Sequence, residues 1–562
     1  MNDGPSELNR ESAGATDATI ARADHAAHHA PSLLGYAPAL VLPAAVVADS
    51  MQYADADLWG HIRFGQTMLG TGHLIRADVF SCTAAGRRWI DHEWLAEVVM
   101  ALIYNGFGVI GLKLVKFLCA GAIMTLLALG LAETGAAMAA QFAALAAVAL
   151  ALIQQMQFRP QLFDYVLFAA LIAMLARETY GRGAPLWLTV PMLALWANLH
   201  GGFCIGLAAL GVYSAAVAAQ GVVARGARLR AALRPAAITA AAALATLCNP
   251  WSLGEWRAVA QSLGNPYTLG RVSEFRPLLH TFGALHRAGM TTFPLTAMLL
   301  MLAALAAAWL LVPRGDDAAM LAVAALMAAA AFAAVRNNAL AATALAVPLA
   351  YHADLAVRRV RRRAYARADT PKTPGVALAP ALVMPRKMRN MGKTGKMGWA
   401  LQAAVSLVAA LLALRAGLFS AALRAAEPSP VGAAGFMAAH ALAGNILGEY
   451  AWGGYLIWHA AKGSRVFIDS RFEMVYPPRV QRDYLDFIRG GERAAAVLAA
   501  YPTDYVMMPP NSTASRFMGG DPGWRMIYRD RVASLFARTG SPAAHIAGVP
   551  ILREDAPPSF FP

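Results

Sequence analysis

Charged residues are scarce in this chain. Asp, Glu, Lys and Arg make up only 14% of its 562 residues, whereas hydrophobic residues make up 58%. Soluble globular domains carry about 25% charged residues, so the composition excludes an ordinary soluble enzyme. It predicts a protein that crosses a membrane several times.

Cysteine and the common catalytic signatures are also sparse. Four cysteines occur without a Cys-x-x-Cys pair, so neither a disulfide framework nor a cysteine-bound zinc site is indicated. The chain has no nucleophile elbow, Walker loop, His-Glu-x-x-His or Rossmann glycine signature in a suitable context. These absences argue against ATP hydrolysis and against a serine or zinc hydrolase.

The formal net charge of +15 does not by itself indicate a nucleic acid partner. Much of the excess lies in one tract, residues 358–396, between two apolar segments, which favours a cytoplasmic loop. We therefore expect no nucleic acid to bind. Residues 1–31 lack a cleavable signal pattern, and we predict that they form a disordered cytoplasmic tail.

About eleven apolar segments approach the ~20 residues that cross a hydrocarbon core, which predicts a polytopic α-helical membrane protein. Lys and Arg are concentrated in loops 177–184, 220–234 and 354–398, which the positive-inside rule places in the cytoplasm. The same count puts the N-terminus inside and everything after 425 outside. The predicted spans are 33–50, 108–131, 138–156, 162–177, 185–198, 202–219, 235–248, 291–312, 318–335, 338–353 and 399–424.

The segments outside the predicted spans have their own patterns. The first outer loop, 51–107, contains amphipathic runs at 58–69 and 94–104, which predict helices along the membrane surface. After 425 the composition becomes mixed, with strand-like runs at 466–468, 505–507 and 527–528 and helix-like runs at 478–488 and 492–500. We predict a transmembrane domain over 32–424 and a small soluble extracytoplasmic α/β domain over 425–562.

Polar residues gather where the apolar runs end, and the predicted topology puts these clusters on the extracytoplasmic side. Ionisable groups at membrane depth are costly, so their retention predicts a functional site. The clusters contain Asp55 and Asp57, His92 and Glu93, Arg159 and Gln161, Asn198 and His200, and Arg336 and Asn337.

The acidic residues of the first outer loop are candidate catalytic groups. Asp55 and Asp57 could share a divalent cation, Mg²⁺ or Mn²⁺, or one of them could act as a base. The alternative is that they cap the helix that begins at residue 58. Glu93 could be a base or a metal ligand and His92 could bind phosphate, whereas the alternative is a helix capped by Asp91.

The arginines at the other turns suit a phosphate group. The guanidinium of Arg159 or Arg336 presents a planar fork that matches phosphate oxygens. The alternative is an arginine that reaches out to lipid headgroups. Further predicted phosphate ligands are Gln161, His200 and Asn337.

For three more polar residues the sequence allows either a functional or a structural role. Asn198 lies in a turn so short that its side chain faces either a cavity or the lipid interface, so it either contacts the acceptor or closes helix-end carbonyls. Glu274 and Arg276 form either part of the acceptor site or an internal ion pair.

Between residues 45 and 355 the chain carries a series of short motifs that resemble those of one protein superfamily. They are Asp55-Ala-Asp57-Leu-Trp59-Gly-His61, Phe80-Ser-Cys-Thr83, Trp89-Ile-Asp-His92-Glu93-Trp94-Leu-Ala-Glu97, Arg159-Pro-Gln161, Trp196-Ala-Asn-Leu-His-Gly-Gly202 and Arg336-Asn337. Together they resemble bacterial membrane glycosyltransferases of the GT-C superfamily. The resemblance implies an acidic motif just after the first span and a polyprenyl-phosphate-linked sugar donor bound at the outer membrane face. The Asp-Glu pair typical of protein mannosyltransferases is here split by Ala56.

The tail carries a fainter match. Gly448-Glu-Tyr-Ala-Trp-Gly-Gly-Tyr455, followed by Arg465-Val-Phe-Ile-Asp469, resembles the acceptor-side motif of oligosaccharyltransferases, Trp-Trp-Asp-Tyr-Gly followed by a strand ending in Asp. That run is not intact, so sequon recognition is not implied. The residues predicted either to contact the acceptor or to be structural are Glu449, Tyr455, Asp469 and Arg471.

The sequence therefore predicts a GT-C glycosyltransferase of the bacterial inner membrane. It would move a sugar from a polyprenyl-phosphate-linked donor to a glycan, lipid or protein acceptor on the extracytoplasmic face. Asp55 or Asp57 would act as the base, and cationic groups would stabilise the departing phosphate. The alternatives are a flippase for a lipid-linked saccharide, which is expected to show repeated halves that we do not find, and a non-catalytic member of the superfamily.

Overall fold

The computed structural model describes residues 53–153, 155–181, 183–223, 228–263, 273–368, 423–425, 428–546 and 560–561. The predicted tail 1–31, the first predicted span 33–50 and most of the predicted basic loop 354–398 lie outside the described residues.

The first outer loop consists of a short strand, a helix and the start of a second helix. Strand β1 (Tyr53–Ala54) precedes helix α1 (Leu58–Thr71), as predicted, and helix α2 runs from Trp94 to Ala132. The predicted surface helix 94–104 and span 108–131 are the two parts of α2, and they are separated by a kink at Gly108, whose φ of 59° and ψ of −150° are non-helical. Glycine adopts a positive φ at little cost, so the sequence allows the kink at this position.

Helices continue through the membrane domain. Their Ala-rich and Leu-rich sequences have high helix propensity, and a helix satisfies its own backbone hydrogen bonds, as a lipid environment requires. They are α3 (Met138–Leu152), α4 (Gln161–Tyr180), α5 (Thr189–Leu199), α6 (Phe203–Val223), α7 (Arg228–Ala245), α8 (Leu253–Leu263), α9 (Leu278–Arg287), α10 (Phe293–Leu311), α11 (Ala318–Ala333) and α12 (Asn338–Ala368).

Four stretches of the described chain are long and apolar enough to cross a membrane: Trp94–Ala132, Phe203–Gly221, Phe293–Leu311 and Val335–Ala364. Four more apolar helices are shorter, including Met138–Leu152 and Ala318–Ala333. This is a membrane protein that is mostly helical, and the count of about eleven spans stays a prediction.

The predicted spans between 108 and 353 all overlap helices, although the ends of helices and predicted spans differ in places. Helix α12 continues to Ala368, past the predicted end at 353, so the start of the predicted basic loop is helical. Leu423 and Arg424, the last residues of the predicted span 399–424, belong to strand β2 (Leu423–Ala425). Strand β2 pairs in parallel with β1 and antiparallel with β8 (Phe560–Phe561).

A mixed sheet forms the centre of the C-terminal region. The strands are β3 (Asn445–Gly448), β4 (Arg465–Val466), β5 (Tyr505–Met508), β6 (Trp524–Arg529) and β7 (Ser534–Arg538), in the order β4-β3-β5-β7-β6. Strands β4, β3 and β5 are parallel and the others antiparallel. The helices are α13 (Val431–Ala439), α14 (Gly453–His459), α15 (Phe472–Val475), α16 (Pro478–Arg489), α17 (Glu492–Ala500) and α18 (Thr513–Gly520).

The hydrophobic core of this region extends into the first outer loop. Phe64 and Trp89 of the loop are buried in the same cluster as Phe467 and Tyr476. Backbone hydrogen bonds also join the loop residue Cys82 to the carbonyl of Val466. The core therefore crosses the predicted boundary at 425, and the α/β region and the loop pack as one body.

Candidate active site

A cavity of about 230 Å³ lies where the polar turns of the membrane domain meet. The turn before α4, the α5–α6 turn and the 3-10 turn at Val335–Asn337 contribute to its wall, together with the loop before α2. All six residues predicted to bind the donor phosphate line this cavity: His92, Arg159, Gln161, His200, Arg336 and Asn337. Their roles remain predictions, but their convergence is a property of the fold.

Arg159 binds three carboxylates at the edge of the cavity. Its Nε lies 2.6 Å from Oδ1 of Asp55, its Nη2 lies 2.7 Å from Oδ2 of Asp57, and its Nη1 lies 3.5 Å from Oε2 of Glu274. Among the described residues, Glu274 pairs with Arg159 and not with Arg276. The backbone carbonyl of Arg276 instead accepts a hydrogen bond from Val335.

The two aspartates do not cap helix α1 with their side chains. Asp57 occupies the N-cap position, but its side chain makes no capping hydrogen bond. The Oδ1 atom of Asp55 accepts the backbone N–H of Asp57 at 3.0 Å in addition to the Arg159 contact. Each aspartate thus gives an oxygen to the guanidinium of Arg159, and this oxygen is not available to the divalent cation predicted there.

His200 lies between two carboxylates. Its Nδ1 lies 2.5 Å from Oδ2 of Asp164, and its Nε2 lies 3.2 Å from Oε1 of Glu93. Trp196 fixes Asp164 by donating from Nε1 to Oδ1 at 2.6 Å. Burial lowers the pKa of His200, but Asp164 and Glu93 outweigh burial and raise it to about 10. His200 is therefore an imidazolium at neutral pH.

Gly202 makes the approach of Asp164 possible. A Cβ atom at this position would collide with the carboxylate of Asp164. Gly202 is thus required by close packing under the His200 network.

Glu93 is the centre of a second cluster. Its carboxylate lies 3.2 Å from His200, 3.7 Å from Nδ1 of His61 and 3.8 Å from Nε2 of His92. His61 also contacts Glu97, with 2.9 Å between Nδ1 and Oε1. Burial raises the pKa of Glu93, but the histidines, His92 first, outweigh burial and hold it below its ordinary range.

Several acidic residues of this cluster were not predicted as site residues. Burial, and then the charge of Glu97, raises the pKa of Asp91 well above its usual value. Burial, and then the charge of Asp91, raises the pKa of Glu255 to about 8. Asp164 gave a signal in the sequence, because it is an acid inside a predicted span. Glu255 gave none, because it lies in a long outer loop.

Arg336 differs from Arg159 in its surroundings. Its guanidinium lies over the ring of Phe275, 4.5 Å from the centroid. No carboxylate of the described residues lies within ion-pair distance of it. The side-chain nitrogen of Asn337 donates to the carbonyl of Ala330 at 3.0 Å. Arg336 is therefore the arginine of the cavity wall whose positive charge is not already balanced by an acid.

Asn198, Glu449 and Tyr455 are not among the residues that line the cavity, and each makes contacts within the fold. Asn198 accepts from Trp94 Nε1 at 3.1 Å and donates to the carbonyl of Cys248 at 2.8 Å. The backbone carbonyl of Glu449 accepts from Trp452 at 2.9 Å, and the ring of Tyr455 packs against Trp59 with centroids 5.5 Å apart.

Asp469 and Arg471 form a buried ion pair that joins the tail to the first outer loop. Arg471 donates to both oxygens of Asp469, at 2.9 and 2.6 Å, and its Nη1 lies 2.8 Å from Oδ1 of Asp78. Tyr476 also donates to Asp469 at 2.7 Å. These contacts are of the kind expected if Asp469 and Arg471 have a structural role.

No family model matches the chain, and no curated protein matches it. Among solved structures, the oligosaccharyltransferase AglB from Archaeoglobus fulgidus, in complex with an inhibitory peptide and a dolichol-phosphate, is similar with a TM-score of 0.51 and 13% identity, over 84% of this chain and 69% of AglB. ArnT from Cupriavidus metallidurans, bound to undecaprenyl phosphate, gives a TM-score of 0.44 and 13% identity, over 91% of this chain and 98% of ArnT. At this identity the likeness to AglB concerns the fold alone. The chain therefore shares the fold of AglB, a glycosyltransferase fold of the kind that the resemblance of its motifs predicts.

Proposed function

We propose that this protein is a glycosyltransferase of the bacterial inner membrane that moves a sugar from a polyprenyl-phosphate-linked donor to an acceptor on the extracytoplasmic face. The observation that carries the proposal is the convergence of Arg336, His200 and Arg159 on one cavity beside the Asp55–Asp57 pair. The dolichol-phosphate in the AglB structure supports a lipid-linked donor.

The cationic groups of the cavity would bind the phosphate of the donor. Arg336 has no acidic partner among the described residues, so its guanidinium can offer two parallel hydrogen bonds to phosphate oxygens. The positive charge of His200 adds to the same wall of the cavity. Fixed cations stabilise the charge that grows on the phosphate as the sugar leaves, which is usually the largest contribution to such catalysis.

Asp57 would act as the base. Asp55 accepts two hydrogen bonds at Oδ1, whereas Asp57 contacts Arg159 through Oδ2 and its side chain is 21% exposed. The oxygen of the acceptor hydroxyl attacks the anomeric carbon, the bond from that carbon to the phosphate oxygen breaks, and its electron pair stays on the phosphate. The hydroxyl proton passes to the carboxylate of Asp57.

Arg159 would position the base rather than bind the donor. Its three acidic contacts occupy Nε, Nη1 and Nη2, and the ion pair with Asp57 fixes the position of that carboxylate. A phosphate is a good leaving group and needs no acid catalyst. A flippase would need the phosphate contacts but no base, so the requirement for Asp57 separates the two functions.

The most informative experiment compares lipids from cells with and without the gene by mass spectrometry, together with their surface glycans. We expect deletion to cause a polyprenyl-phosphate sugar to accumulate and one sugar to be lost from a surface glycan, lipid or protein. Unchanged lipids and glycans would contradict the proposal. Loss of several complete glycans, with the whole lipid-linked saccharide retained, would indicate a flippase instead.

A further inference from the structure

Helix α12 extends past the part of it that packs within the membrane domain. It begins at Asn338, directly after the cavity-lining residues Arg336 and Asn337. From there to residue 356 each side chain is buried or half-buried, whereas every residue from 357 to 364 is exposed. More than two turns of the helix, at the end remote from the cavity, are therefore not covered by the described chain.

The exposed turns carry five arginines within six positions. Arg358 forms an ion pair with Asp354, with 2.7 Å between Nε and Oδ2. The other four form no ion pair with any described residue, and we call them the distal arginines. They are Arg359, Arg361, Arg362 and Arg363. No acid of the described chain balances their charge.

The arginines of these turns repel one another. Residues four apart are neighbours on a helix surface, so Arg358 faces Arg362. Arg359 faces Arg363 in the same way. Like charges at this spacing destabilise a helix, and exposed turns gain nothing from tertiary packing. The favourable effect of positive charge at a helix C-terminus is confined to the last turn, whereas α12 continues to Ala368. A helix with this charge pattern requires an anionic partner.

The length of α12 places the distal arginines at the level of lipid headgroups. A helix rises about 1.5 Å per residue, so Arg358 lies about 30 Å along the axis from Asn338, and Arg363 about 38 Å. The hydrocarbon core of a bilayer is about 30 Å thick, and the headgroup layers bring the total to about 40–45 Å. When α12 begins at one boundary of the core, the distal arginines fall in the headgroup layer of the opposite leaflet.

We propose that the distal arginines bind the phosphate groups of anionic phospholipids in the leaflet opposite the cavity. A guanidinium matches phosphate oxygens in two-point contact, and a basic cluster directly beyond a membrane helix attracts anionic lipids. Val357 and Val360, 48% and 55% exposed, lie on the side of the helix that the arginines leave free. Apolar side chains beside basic ones suit the boundary between headgroups and acyl chains, which favours a lipid surface over an acidic protein.

The test uses the full-length protein in a neutral detergent, with no sugar donor, so its result does not depend on the proposed transfer reaction. Native mass spectrometry measures binding of phosphatidylglycerol and, separately, of phosphatidylcholine. An arginine near anionic headgroups contributes about 5-fold in affinity. One or two arginines can reach each phosphate, so we expect phosphatidylglycerol to be preferred about 5- to 25-fold. Equal binding of the two lipids would overturn the proposal.

A quadruple variant removes the charge and keeps helix propensity, because glutamine is a good helix former. It combines Arg359→Gln, Arg361→Gln, Arg362→Gln and Arg363→Gln. We expect it to lose at least about 5-fold of the preference, whereas lysine at the same four positions should retain most of it. A preference that survives in the glutamine variant would overturn the proposal, and it is the result expected if these arginines bind an acidic protein instead.

The matched control removes the same charge from another exposed surface. It combines Arg479→Gln, Arg482→Gln, Arg489→Gln and Arg493→Gln, on α16 and α17. We expect this variant to prefer phosphatidylglycerol as the wild type does, and an equal loss in both variants would overturn the assignment to α12. Equimolar inorganic phosphate should not displace the lipid, and displacement would indicate a site for free phosphate instead. Thermal unfolding without lipid should be the same in both variants and the wild type, since the substituted side chains are exposed.

Discussion

The Nε atom of Arg159 lies 2.6 Å from Oδ1 of Asp55, although the two residues are 104 positions apart in the sequence. This contact joins the start of helix α4 to the segment just before helix α1. The same guanidinium reaches Asp57 and Glu274. The side chain of Arg159 thus contacts carboxylates from two separate outer loops. Replacing it tests whether these loops are joined in this way.

Arg159→Ala should destabilise the protein strongly. The substitution removes the ion-pair partner of the buried carboxylate of Asp55, which is 9% exposed, and breaking a buried pair typically costs about 3–5 kcal/mol. Thermal unfolding in detergent measures the loss. The control is Arg479→Ala, since this arginine is 76% exposed in its pair with Asp483 and its loss should cost less than about 1 kcal/mol. Equal effects of both variants would contradict the structure at Arg159.

Gly202→Ala should disturb the His200 network. The new methyl group would meet the carboxylate of Asp164, and such overpacking costs about 1–3 kcal/mol. Gly211→Ala in the next helix is the matched control, because a Cβ atom there meets nothing within 4 Å. That change should be neutral or slightly stabilising. A stable Gly202→Ala protein would show that Asp164 does not lie where the structure puts it.

Glu255 should make the folded state less stable as the pH rises. Its pKa is raised from 4.5 to about 8 in the folded state. The folded protein therefore keeps a proton that the unfolded chain releases, and stability falls as the pH rises between these two values. Above about pH 8 the penalty is constant. Unfolding of chelator-treated protein from pH 5 to 9 measures this trend, which Glu255→Gln should reduce and the exposed control Glu492→Gln should leave unchanged.

Arg336→Ala should weaken binding of the donor phosphate. A charge-assisted hydrogen bond contributes about 1.5–3 kcal/mol, so affinity for undecaprenyl phosphate should fall about 10- to 100-fold. Arg336→Lys should recover part of the loss, because it restores the charge without the planar fork. Arg314→Ala, a half-exposed arginine paired with Asp316, serves as the control. Unchanged affinity in Arg336→Ala would remove this residue from the site.

The sequence predicts the helices and the end of the molecule at which the polar turns meet, because apolar run length and turn position are local properties. The sequence does not predict which carboxylates Arg159 contacts, since these residues lie in loops that are distant in the sequence. The break between the predicted helices 94–104 and 108–131 is found at Gly108, whose backbone is non-helical. The packing of Phe64 and Trp89 against the C-terminal region was missed because Phe64 also suits a helix on a membrane surface, and Trp89 lies between the two predicted surface helices.

The buried acids show the same limit. Asp164 could have been found as an ionisable residue within a predicted span, whereas Glu97 and Glu255 have the spacing of ordinary amphipathic helices. Only the folded arrangement places them near Glu93 and the three histidines. Local sequence patterns thus predicted the arginines and histidines that line the cavity. The buried acidic residues near Glu93 are brought together only by tertiary packing.

The most direct test of the proposed function is complementation of the deleted gene with Asp57→Asn. The variant should still bind undecaprenyl phosphate in purified form, since the groups proposed to bind the phosphate are Arg336 and His200. In cells it should fail to restore the missing sugar, and the lipid-linked donor should accumulate as in the deletion. Full restoration of the glycan by Asp57→Asn, at wild-type donor levels, would contradict a transferase that uses Asp57 as its base.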